Sequence, residues 1–117
     1  MRNINRIILH CSATREGQDI DTATIRKWHT DPAPKGRGWS DIGYHYVIRL
    51  NGDIESGRPL ARSGAHTKGH NADSVGICYI GGVETDGKTP KDTMNESQEA
   101  AFKELVYSLR MVWDKHL

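Results

Sequence analysis

The 117-residue sequence predicts a small α/β domain, one sheet with helices on its faces. Three observations predict it. Strand-like apolar runs in "RIILHC", "YHYVIRL" and "VGICYIGG" are separated by helical or long irregular segments. The last stretch carries Phe102, Leu105, Leu109, Val112 and Trp113 as one apolar stripe at helical spacing. The length suffices for one core and leaves no room for a second, so residues 1–117 are expected to form a single domain.

The elements follow in order. Ile4, Ile7, Ile8 and Leu9 suit a covered strand that ends on His10 and Cys11, with Ser12, Ala13 and Thr14 leaving it. Asp21 or Thr22 caps a short helix whose one face holds Ile25, Trp28 and His29, and Pro32 and Pro34 end it. A glycine-rich loop, "KGRGWSDIG", contains Trp39 as its one large apolar group. "YHYVIRL" is the second strand, and Asn51-Gly52 signals a two-residue hairpin into "DIESG". "RPLARSGAHTKGHNADS" has almost no periodicity and reads as a long loop. "VGICYIGG" is a third, buried strand, and "VETDGKTPKDTM" a polar loop. Asn95, with Gln98 three residues on, opens the terminal helix as a capping box.

Composition excludes several function classes. A formal net charge of +1 provides no basic field for nucleic acid. Charged residues of both signs make up 26%, which marks a solvated globular surface rather than disorder. No stretch reaches membrane-spanning length, and the apolar run at the start is too short for a signal peptide. The expectation is a protein that stays in the cytoplasm as synthesised and does not insert into membranes. Cys11 and Cys78 stand far apart among apolar neighbours and read as reduced thiols more than as a disulfide framework. The chain has no phosphate loop, no G-x-S-x-G and no C-x-x-C.

Histidines are the remaining chemical signal. His10 leaves a strand end, where ligands bind in open α/β sheets, although a histidine hydrogen-bonded at a sheet rim fits the spacing as well. His29 reads as packed and His116 as a surface cation at a helix C-terminus. Tyr44 and His45 are neighbours on a strand and are expected on opposite faces. His66 and His70 form H-x3-H in a loop, weak evidence for metal. Zinc catalysis would need three protein ligands and an open position, and a phenol such as Tyr44 or a neutral histidine such as His66 could donate to an oxyanion.

"ILHCSAT", "GRGWSDIGYHYVIRLNGDIESGRP", "GAHTKGHNADSVGICYIGG" and the helix after "QEAAF" stand in the order seen in the type 2 N-acetylmuramoyl-L-alanine amidase family, which the chain resembles over essentially its whole length. That family includes phage lysozymes with amidase activity and the peptidoglycan recognition proteins. The resemblance implies a mixed central sheet flanked by helices and a zinc site in a surface cleft. It also implies a peptidoglycan or muropeptide substrate, cut at the amide joining muramic acid to L-alanine after release to the cell wall.

Position by position, the resemblance makes His10 the first zinc ligand and Tyr44 the residue that assists the metal-bound water and the tetrahedral intermediate. It makes His66, Thr67 and Asn71 the substrate-binding loop, Gly38, Trp39 and Gly43 loop positions shaping the approach, and Cys78 a buried strand position. His70 receives no role. The family's second histidine ligand, and its cysteine or carboxylate ligand, are expected downstream of the long helix, whereas this sequence ends at "WDKHL". The spacing of His45, His66 and His116 does not require any of them to replace those ligands. Two function classes stay open: a Zn2+-dependent amidase, and a metal-free peptidoglycan-binding module.

Overall fold

The computed structural model describes residues 2–114. It contains strands β1 (Arg6–Cys11) and β2 (Thr14–Arg15), helix α1 (Thr22–Thr30), strands β3 (Tyr46–Ile48), β4 (Ile54–Ser56), β5 (Ser74–Tyr79) and β6 (Gly82–Val83), and helix α2 (Glu96–Asp114). Four strands make a mixed sheet in the order β1-β5-β3-β4. β1 and β3 run parallel to β5, and β4 runs antiparallel to β3. β2 and β6 pair in a separate two-stranded parallel ladder. The expected α/β class with helices on a mixed sheet is what the chain adopts.

Period-2 alternation along β3 divides the interior. Ile48 joins Ile4, Val75, Ile77 and Tyr79 beneath Ala101, Leu105 and Leu109 of α2. Val47, its neighbour, points the other way and packs with Ile20, Ile25 of α1, Ile42 and Ile80. β5 lies between two strands and is buried along its whole length.

Both helix starts behave as read. The Thr24 N–H donates to the Asp21 carboxylate at 2.8 Å. The Gln98 N–H donates to Asn95 Oδ1 at 2.8 Å, and the Asn95 N–H donates back to Gln98 Oε1 at 3.1 Å. Gln98 is fully buried, and its Nε2 donates to the Ile80 carbonyl at 3.0 Å, which ties the cap to the end of β5.

Several expectations need correction. β1 is an edge strand rather than a covered central one, and Leu9 is 39% exposed. Trp28, assigned to the apolar face of α1, is 41% exposed because Ile25 alone of that trio reaches the core. The β3–β4 connection is longer than a two-residue turn. Arg49 N–H donates to the Asp53 carbonyl at 2.8 Å, Asn51 Oδ1 accepts the Asp53 N–H at 2.9 Å, and Gly52 takes the positive φ of +89°. Val112 is exposed, and the Trp113 side chain and His116 lie outside the described residues. Both cysteines are free thiols, as read.

Candidate functional site

The β1–β5 register sets His10 directly opposite Cys78, with both side chains on the face that carries Val47. Over that face folds the long loop read from "GAHTKGHN". The carboxamide oxygen of Asn71 accepts the N–H groups of His66 and Thr67, each at 2.9 Å, and so curls the loop. Arg2 holds the loop from below, donating to the carbonyls of Leu60 at 2.9 Å, Asn71 at 3.1 Å and Ser74 at 2.7 Å. The His66 ring then lies flat over Gly76. A Cβ at that glycine would stand 2.5 Å from the imidazole, so only a residue without a side chain allows the ring to seat.

The loop brings His66 to the end of β1. His66 Nδ1 and His10 Nε2 are 2.9 Å apart, and the Thr67 hydroxyl lies 3.0 Å from the first and 3.1 Å from the second. The Tyr44 ring stands 5.5 Å from His10 and 5.5 Å from His29, and His29 stacks in turn 4.9 Å from Trp39. Arg37 lies over the Trp39 ring at 5.1 Å. A cleft of about 370 Å³ opens between these groups, lined by His29, Arg37, Trp39, Tyr44, His66 and Asn71 among others. All five residues singled out from the sequence for the site, His10, Tyr44, His66, Thr67 and Asn71, thus come together.

Strand alternation does not govern Tyr44 and His45, because β3 begins only at Tyr46. Both therefore reach the same region. His45 is 1% exposed and packs edge-on behind His66 at 5.9 Å, accepting the Gly76 N–H on Nδ1 and donating from Nε2 to the Arg62 carbonyl. Sequence reasoning placed His29 as merely packed, yet it accepts the Gly43 N–H at 2.9 Å and lines the cleft. Arg2 was given no role from the sequence, and no local pattern marks it.

Burial sets the proton chemistry. It lowers His10, His29 and His45, and with the nearby imidazoles of His10 and His45 and two guanidiniums it pushes His66 down to about 4. The Tyr44 phenol is raised, first by burial and then by the thiols of Cys78 and Cys11. The Cys78 thiol is pushed up to about 12 by burial. At neutral pH the site is thus a set of neutral imidazoles around a protonated phenol.

These groups do not amount to a zinc site. Among the described residues no group of three His, Cys, Asp or Glu gathers, whereas catalytic zinc takes three protein ligands. His10 Nε2 instead meets His66 and Thr67.

A family model described as N-acetylmuramoyl-L-alanine amidase matches residues 1–116. An endolysin of Klebsiella phage KP32 is 38% identical over 107 residues, covering 92% of this chain and 67% of that protein. Among solved structures, the endolysin N-acetylmuramoyl-L-alanine amidase LysCS from Clostridium intestinale superposes with a TM-score of 0.79 at 28% identity, over 97% of this chain and 65% of that one. The peptidoglycan recognition protein ectodomains LCa and LCx, solved with tracheal cytotoxin bound, give 0.74 at 26% identity, over 95% and 64%. The chain spans about two thirds of the length of these proteins.

Proposed function

Because the chain belongs to the N-acetylmuramoyl-L-alanine amidase family, we propose that it takes part in peptidoglycan hydrolysis, at the amide between muramic acid and L-alanine. One observation carries the reading: Tyr44, His66 and Thr67 line one open cleft, and His10, from a separate part of the chain, lies against all three. In this reading the Tyr44 O–H donates to the oxygen that gains charge as the amide carbonyl is attacked. Trp39 and His29 give the cleft an aromatic wall for the substrate, and the guanidinium over Trp39 offers a partner to peptide carboxylates. His10 would serve as one ligand of a zinc ion, although among the described residues no three His, Cys, Asp or Glu gather around it. The enzyme would meet its substrate at the cell wall after release.

The test is lysis of purified cell walls, followed by turbidity and by the appearance of free N-terminal alanine. His10→Ala is expected to abolish zinc-dependent release while circular dichroism keeps the native signature. Release at the unmodified rate would remove His10 from the chemistry.

A second reading, binding without cleavage, is favoured by the incomplete ligand set among the described residues. Equilibrium dialysis against zinc separates the two. Tight stoichiometric zinc with alanine release supports the hydrolase, whereas muropeptide binding without either supports the binding module.

A further inference from the structure

Four backbone carbonyls converge on one point beneath the long loop, and the Arg2 guanidinium fills it. Nε donates to the Leu60 oxygen at 2.9 Å, and Nη1 lies 3.1, 3.3 and 2.7 Å from those of Asn71, Ala72 and Ser74. Nη2 lies 2.9 Å from His45 Nε2, against the imidazole that packs behind His66. These carbonyls belong to the two ends of one loop. Leu60 precedes residues 61–70, which carry His66 and Thr67, and residues 71–74 follow them. Carbonyl dipoles aimed at a common point repel one another, so the cation between them is what closes the neck. The chain that follows Arg2 keeps it there. Ile4 is buried in the core, and the N–H groups of Asn5 and Arg6 donate to the Asp73 carbonyl at 2.9 and 3.2 Å. A lysine would not do the same. Its single nitrogen is a point charge, whereas a guanidinium presents donors in a fixed fork that reaches both sides of the neck.

We propose that Arg2 is a positioning residue that pins the neck of the 61–70 loop, and that muropeptide affinity at the cleft depends on this pin. The affinity half of this statement rests on the cleft being the peptidoglycan site, and the pin does not. The route from Arg2 to the ligand is short. Asn71 gives its backbone carbonyl to Arg2 and its side-chain oxygen to the N–H groups of His66 and Thr67. Releasing the first loosens the second. His66, Thr67 and Asn71, which line the cleft together, then lose their common position.

Amide hydrogen exchange and titration with a disaccharide-peptide muropeptide test this on the same protein. Arg2→Ala is expected to speed exchange across residues 61–72 while residues 75–79 of β5 keep their protection. Muropeptide affinity should fall about tenfold, the order expected when charge-assisted hydrogen bonds no longer hold the loop. Guanidinium at about 20 mM, far below the molar range that unfolds proteins, should restore both in Arg2→Ala. Ammonium at the same concentration should restore neither. Arg2→Lys, which keeps the charge without the fork, should show the same loop-confined loss, and it serves alone if Arg2→Ala does not fold. Faster exchange in β5 as well, with no rescue by guanidinium, would make Arg2 a general stabiliser and overturn the proposal. Unmodified affinity and unmodified loop exchange in the variants overturn it too. If the unmodified protein fails to bind the muropeptide while loop exchange responds as described, the functional reading fails and the pin stands.

Discussion

The Tyr44 phenol, raised by burial and by two neighbouring thiols, holds its proton at any working pH and so stays available as a hydrogen-bond donor. A donor aimed at developing charge contributes mainly in the transition state. Tyr44→Phe is thus expected to lower kcat for wall hydrolysis by about 10²–10³ and leave KM nearly unchanged. Steady-state rates on a soluble muropeptide check this, and a raised KM with normal kcat would make Tyr44 a ground-state contact instead. Gly76 tests the opposite side of the site. Its missing side chain is the seat of the His66 ring, so Gly76→Ala is expected to lift that ring away from His10 and lower stability by about 1–3 kcal/mol. Urea unfolding gives the stability, and a muropeptide titration shows whether affinity falls with it.

Among the elements, α2 and β5 were the most legible in the sequence, for different reasons. The apolar stripe of α2 follows a reciprocal cap, and β5 is a nearly continuous apolar run because it is buried on both faces. Asn95→Ala removes half of that cap and is expected to cost about 1 kcal/mol. In a domain of this size that corresponds to roughly 4 °C in Tm by calorimetry. β1 shows the limit of such reading. Its apolar run matches that of a central strand, but which strand lies at an edge depends on pairing order, and composition does not encode it. β2 and β6 are two residues each, too short to leave any periodicity. In the site, His10, Tyr44, His66, Thr67 and Asn71 were singled out through the family resemblance of the blocks that hold them, since their spacing alone assigns them no role. His29 and Arg2 were not, because each acquires its role only from a partner distant in sequence or from the tertiary packing around it.

For the molecule as a whole, the buried histidines set the response to acid. His66 is pushed down to about 4, and His10, His29 and His45 shift the same way, below the ordinary value of 6.5. Between those limits the unfolded chain binds more protons than the folded one, so stability falls as pH falls. The metal-free protein is expected to lose melting temperature progressively from about pH 6.5 down to pH 4, and His66→Gln should flatten that slope. Scanning calorimetry across the range measures both. The parallel pairing of β1 with β5 also bears on how the chain comes off the ribosome. His10 is made early, yet its strand has no neighbour until Ser74–Tyr79 has emerged. At roughly 5–20 residues per second, the first strand waits for seconds with its apolar side chains unpaired. During that interval the nascent chain has the Ile7–Leu9 segment exposed and no assembled cleft, so holdase chaperones that recognise short apolar stretches have a binding window that closes when β5 docks.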